Sequence, residues 1–352
     1  MIFKRAYKFR FYPTTDQVTQ LEQTFGCSRY VYNHFLRVRT AAWFERQERM
    51  TYVDTAKELT ILKRQPETLW LADVSSVALQ QSLRHLDTAF RNFFSKRSQY
   101  PTFKSKKNRI QSAVYMRKSF TLKTDINDNK ILTLTKHEEP LNVKWSRTLP
   151  SSDPSNITVS KDSAGRYFVS LLFEEEIHAL PRAEQQVPYY VGLKSFEISN
   201  VGEPTSNPNL FLKEQKRLAI FQRKRNRKLE VAKASIGLKG KPIPKGTKLP
   251  KSNNYQKNEL KVSRLHAKLS DARNDFLQKL STTIVRENQV VAVRDFNVAG
   301  MIQNKCFANR TSDISWSRFL TMLEYKCAWY GRTFAAKLNK SNDSNTAGHA
   351  GI

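Results

Sequence analysis

No apolar run in this 352-residue chain approaches the ~18 residues of a membrane span. Cysteine is scarce. Cys27, Cys306 and Cys327 stand alone with no Cys-x-x-Cys pair, which excludes a disulfide framework and a cysteine-based zinc site. The six histidines show no metal-ligand spacing. The opening "MIFKRAYKFRFYPT" alternates aromatic and basic residues and lacks the unbroken apolar core of a secretory signal, so a cytosolic protein is expected. Acids are few as well: 31 Asp and Glu face 60 Lys and Arg, a formal charge of +29.

A charge of that size repels itself in the compact state and calls for a polyanionic partner. Aromatics at 11% and apolar residues at 39% give the chain enough to bury, so it is not a basic disordered tail. The cations run through the whole length, as in a folded protein lined with nucleic-acid contacts. A membrane surface is the weaker alternative, because no basic amphipathic helix has an exposed apolar face.

The pattern changes period along the chain. "KRAYKFRFYPT" alternates as a strand ended by Pro13. Thr14 or Thr15 then caps a helix that is expected to stop at Gly26. Tyr30, Tyr32, Phe35 and Leu36 follow at helical spacing, and further helices run to about residue 98. His34 and His85 read as packed side chains, and Trp70, Trp316 and Trp329 as core. Residues 110–178 have β-branched alternation and Gly or Asp-Asn turns, which predicts an antiparallel sheet or small barrel joined by the opening strand. "ALPRAEQQVP" reads as a linker.

Residues 189–200 read as a buried strand. Residues 211–280 hold 20 Lys or Arg against five acids, in two helices around a Gly/Pro/Lys loop. Leu260, Leu265, Leu269, Phe276 and Leu280 form an apolar stripe, so a helical hairpin with a basic face is expected. "QVVAVRDFNVAGM" is a second buried strand, and "WSRFLTMLEYKCAWYGRTFAAKL" a helix broken at Gly331 before a last strand. The polar tail from 339 reads as disordered.

Several stretches in one order carry a resemblance: "YKFRFYPT", "FGCSRYVYN", "VSSVALQQSLRHLDTAFRNFF", "YPTFKSKK", "GLKSF", "RDFNVAGM" and "WSRFLTMLEYKCAWYGR". From about 6 to 338 the chain resembles the TnpB family, RNA-guided nucleases of bacterial insertion sequences and relatives of type V CRISPR effectors. The resemblance implies an α+β multidomain fold. Residues 1–13 and 110–180 would form a wedge-like antiparallel β-barrel, with a helical recognition lobe, 14–109, inserted in it. Residues 185–338 would form an RNase H-like domain of the RuvC type.

That nuclease fold holds two Mg²⁺ ions ~3.5–4 Å apart on three carboxylates. The first carboxylate position falls on Tyr190, since "VPYYVGLKSF" matches the family from Gly192 through Phe196. The second falls on Arg294, and Asp295 would face the other way unless the strand slipped by one residue. The third lies beyond a zinc ribbon, and the sequence stops about where that ribbon would begin; Asp343 lacks the supporting motif. The chain on this reading is similar to the nuclease-dead TnpB-like repressors (TldR): not an enzyme, with no Mg or Zn site, and a transcriptional repressor that occupies DNA.

The implied partners are a guide RNA, one per monomer, and a double-stranded DNA target with an adjacent motif, in the bacterial cytoplasm at the nucleoid. Motif reading is expected from Tyr52, Ser76, Gln80 and Gln81, since Gln can bond adenine bidentately in the major groove. Backbone contacts are expected from Lys4, Arg5, Lys8, Arg10, Lys104, Lys106, Lys107, Arg117, Lys118, Lys123, Arg223, Arg225, Arg227 and Lys228. A residually active endonuclease, a decayed transposon protein and a guide-independent DNA binder remain as alternatives.

Overall fold

Alternation in the first strand decides the core of the N-terminal half. In β1 (Ile2–Phe11) Tyr7, Phe9 and Phe11 are buried while Lys4, Ala6, Lys8 and Arg10 between them are exposed. The computed structural model describes residues 2–106, 110–126, 129–183, 189–191, 210–244, 246–294 and 316–337. They form two units that meet in sequence between Glu175 and Glu176.

In the first unit β1 joins β2 (Gln111–Met116), β5 (Val143–Lys144), β6 (Asn156–Lys161) and β7 (Tyr167–Glu176). They make a curled antiparallel half-barrel sheet of order β2-β6-β7-β1-β5. A separate hairpin, β3 (Phe120–Thr124) and β4 (Lys130–Leu134), adds Leu132 and Leu134 to the same core. Tyr115, Val169, Leu171 and Phe173 complete it, each worth ~1.5–3 kcal/mol by burial. Tyr7 meets Phe173 edge-on at 5.4 Å and donates its hydroxyl to Glu175 at 2.7 Å.

Between β1 and β2 run α1 (Thr15–Arg46), α2 (Tyr52–Leu62), a 3₁₀ segment (Pro66–Ala72) and α3 (Ser76–Phe94). Thr14 and Gln17 cap α1 reciprocally, at 3.4 and 3.2 Å. The helix does not stop at Gly26. A mid-helix glycine costs ~1 kcal/mol relative to alanine, and the burial of Val31, Tyr32, Phe35 and Leu36 beyond it outweighs that cost. These side chains pack on Leu59 and Leu62 of α2 and on Leu79, Leu83, Leu86 and Phe90 of α3.

One residue read as core lies at the surface instead. Trp70 is 38% exposed, donates its indole N–H to Glu67 O and meets Tyr30 edge-on. Tyr30 is itself partly exposed. Trp316 is buried, and Trp329 is half-buried against Tyr325.

In the second unit β8 (Tyr189–Val191), β9 (Val290–Arg294) and β10 (Thr333–Lys337) form a parallel sheet of order β10-β9-β8. Parallel neighbours need long crossovers, and helices supply them. α4 (Leu210–Ala234) and α5 (Asn253–Glu287) lie between β8 and β9, and α6 (Trp316–Tyr330) precedes β10. Of the strand expected over 189–200, positions 192–200 lie outside the described residues, as do the "RDFNVAGM" residues after Arg294 and the tail.

Leu218 of α4 packs on Val262 and Leu265 of α5. The far half of α5 packs Leu277, Leu280, Ile284 and Val285 against Trp316, Phe319, Met322 and Leu323. Two buried cations tie this corner together. Lys326 Nζ donates to Gln278 O, Ser281 Oγ and Thr282 Oγ1 at 2.7–2.8 Å. The Arg332 guanidinium donates to Val285 O, Arg286 O and Gln289 Oε1, so it holds the last carbonyls of α5. Gly331 makes the break after α6 at φ 68°, where an added Cβ would meet Ala179 Cβ at 2.9 Å. The linker is not loose throughout: Leu180 N–H donates to Tyr330 O, and Ala183 N–H to Gln289 Oε1.

Burial sets a pH dependence in the first unit. Desolvation holds His137, and His34 with Arg37 beside it, below the ordinary imidazole value. The unfolded chain then binds more protons than the folded one below pH ~6.5, so stability falls with acidification through that range. The melting temperature is expected to drop between pH 7 and pH 5, and by less in His137→Asn; equal slopes in both proteins would rule His137 out as a cause.

Candidate nucleic-acid interface

The four residues expected to read a DNA motif come from α2 and α3. Ser76, Gln80 and Arg84 follow one another at i, i+4 and i+8, one exposed stripe of α3. Lys63, just after α2, donates to Ser76 Oγ at 2.6 Å, and the Arg84 guanidinium lies over the Tyr52 ring at 4.5 Å. Tyr52, Ser76 and Gln80 are thereby gathered on one surface. Gln81 turns elsewhere and, with Arg29, His85 and Lys104, lines a cavity of about 140 Å³ between α1, α3 and β2. Arg84 and Lys63 were not singled out in the sequence, although Arg84 sits one turn from Gln80.

The cations of β1 divide between two faces. Lys4, Lys8 and Arg10 share the exposed face, whereas Arg5 lies on the other and pairs with Glu175 at 3.5 Å. Lys4 meets Glu174 at 3.4 Å. The end of β7 thus offsets the charge at the start of β1. Further along, Lys8 lies over the Phe168 ring at 4.2 Å and Arg10 over Tyr12 at 5.1 Å. Arg117 is exposed and paired with Asp153, and Lys106, Lys118 and Lys123 are exposed. Lys104 sits half-buried over the Tyr32 ring, and desolvation lowers its pKa. Lys107 lies outside the described residues.

The α4–α5 hairpin has the clearest charge imbalance. Glu214 accepts from Lys268, Glu230 from Lys233, and Asp275 from Lys279, while Glu259 meets Lys251 at 3.5 Å. Those pairings leave Arg223, Lys224, Arg227 and Lys228 with no carboxylate partner among the described residues, and Arg225 bonds only the neutral Asn226 side chain. Four unpaired cations along two turns of helix suit phosphate oxygens.

In the parallel sheet, Tyr190 pairs in register with Ala292, and Arg294 with Lys337. Strand alternation puts positions 190, 292 and 294 on one face, so the fold brings the first two expected carboxylate positions together. Among the described residues no group of three His, Cys, Asp or Glu is arranged to hold a metal. Glu197, Asp295 and Asp313 lie outside the described residues.

Known proteins place the chain. A family model described as a helix-turn-helix domain of IS605 OrfB proteins matches residues 1–48, which here form β1 and the uninterrupted α1. A second IS605 OrfB model, described as "Probable transposase", matches residues 246–305. A "Putative RNA-guided DNA endonuclease" of Streptomyces pristinaespiralis is 46% identical over 94% of this chain and 76% of its own length. InsQ of Escherichia coli K12, of the same description, is 28% identical over 93% of this chain and 78% of its own.

A Cas12f1–guide RNA–target DNA complex aligns over 96% of this chain and 86% of its own at 13% identity, with a TM-score of only 0.31. No helix among the described residues is long and apolar enough to cross a membrane. The expectation that the chain is no enzyme does not stand: it was drawn from two strand positions and from an expected ribbon, while relatives matching nearly the whole chain are named as endonucleases. The chain belongs to the TnpB family of IS605-type elements, whose curated relatives are named RNA-guided DNA endonucleases.

Proposed function

We propose that the chain is an RNA-guided DNA-binding protein: it holds a guide RNA, and the pairing of that RNA with one DNA strand selects the target. The observation that carries the reading is the 46% identity, over 94% of the chain, to a relative named for RNA-guided action on DNA. Arg223, Lys224, Arg227 and Lys228 supply the chemistry for it, since unpaired cations grip phosphate without regard to sequence. Sequence is left to base pairing and to a short adjacent motif read by Tyr52, Ser76 and Gln80, while Gln81, turned into the cavity beside Arg29, takes no part in that reading.

Where the target overlaps a promoter, occupancy by a slowly released heteroduplex excludes RNA polymerase, so repression of transcription follows from binding. A gel shift with the full chain and its copurified RNA tests the reading. A duplex matching the guide should shift, and RNase A added to the protein beforehand should abolish the shift. A shift that survives RNase would point to guide-independent binding.

A further inference from the structure

Gly26 is an oddity in α1. It lies inside a 32-residue helix, where glycine is disfavoured, and a Cβ added there would meet nothing within 4 Å. No packing among the described residues therefore requires a glycine. What it does is leave bare the floor of an open cleft of about 400 Å³.

The walls of that cleft come from the same face of α1 and from one distant residue. Arg29, Tyr30, Asn33 and Arg37 recur at helical spacing, and Phe103 closes the far side. Asn33 fixes Phe103 in place: its side chain donates to Lys104 O at 2.9 Å and accepts from Lys104 N–H at 2.7 Å. The Phe103 ring is left 63% exposed beside the opening. Tyr30 is braced by Trp70 at 5.0 Å and stacked on His34 at 5.8 Å. Neither arginine has a carboxylate partner among the described residues, and no acid lines the cleft. An exposed ring on each side, two unpaired guanidiniums and a bare floor match a base, its phosphates and a close backbone approach.

We propose that this cleft binds one unpaired nucleotide of the bound RNA, its base against Phe103 and Tyr30 and its flanking phosphates on Arg29 and Arg37. The proposal rests on the nucleic-acid-binding reading above but names a site which that reading does not use. The test uses the full chain with a short fluorescein-labelled oligoadenylate RNA and, as a second arm, the same sequence in DNA. Phe103→Ala should weaken RNA binding by about 5- to 150-fold, the range for losing one base–aromatic stack.

Phe44→Ala, at an equally exposed aromatic outside the cleft, should leave binding unchanged. Gly26→Leu should fill the floor and weaken binding similarly without lowering the melting temperature, since leucine suits a helix better than glycine. A larger loss in the DNA arm than in the RNA arm would reassign the nucleotide and overturn the RNA part of the proposal. Equal affinities for the Phe103 and Phe44 variants would overturn the site while leaving the broader reading intact. Failure of the unaltered chain to bind either oligonucleotide would overturn both.

Discussion

Replacing Arg223, Lys224 and Arg227 together by glutamine is expected to weaken RNA binding roughly 10²-fold near physiological salt. Each lost phosphate contact removes ~0.7–0.9 from the slope of log affinity against log salt, so the triple variant should lose about 2–3 units of slope. The fold should survive, because these side chains project from α4 while the hairpin is joined by Leu218, Val262 and Leu265 on its other side. Lys251, Lys268 and Lys279 serve as controls. Each already meets a carboxylate, so neutralising them should cost less affinity per charge. A salt titration by fluorescence anisotropy checks both. An unchanged slope in the triple variant would remove α4 from the phosphate-binding surface.

The second large effect concerns stability. Phe173→Ala should destabilise the first unit by ~3–5 kcal/mol, a large part of the ~5–15 kcal/mol that a domain has. Phe173 is fully buried at the centre of the half-barrel, its ring against Tyr7, with Leu171 and Val169 next to it on the same face of β7. Truncation leaves a cavity that the sheet cannot close without breaking the β6–β7 register. Hydrogen exchange is the suitable readout because the second unit has its own core. Amides of β6 and β7 should lose protection, while those at the Lys326 corner of α5 and α6 keep theirs. Loss of protection in both units alike would show that they unfold as one.

Much of the fold could be read where period and side-chain type agree. Tyr7, Phe9 and Phe11 alternate with cations, and only a half-buried strand satisfies both sets. Leu265, Leu269 and Leu280 recur as the helical stripe that α5 buries, and Gly331 breaks the chain where a positive φ is needed. Gly26 misled because the penalty of one glycine is local, whereas the packing of Phe35 and Leu36 that overrides it depends on residues of α2 and α3, from Leu59 to Phe90, far along the chain. Trp70 misled for a related reason. Spacing shows that residues share a helix face but not what covers that face.

The candidate site was legible in pieces. Ser76 and Gln80 lie on one stripe because α-helical geometry requires it, but nothing in the sequence joins Tyr52 to Arg84 or Phe103 to Arg29. Those meetings depend on contacts such as Asn33 with Lys104, 71 residues apart. Positions 190 and 294 lie on neighbouring parallel strands, but what the chain does with DNA could not be decided from those two positions alone. The relatives' names and the acids outside the described residues both bear on that question.

The most direct measurement of the central claim is the sequence of whatever RNA copurifies with the full chain. If the chain works through a guide, one small RNA species should dominate, with a constant scaffold and a short segment matching a DNA site. Bulk cellular RNA in proportion to its abundance, or none at all, would contradict the account.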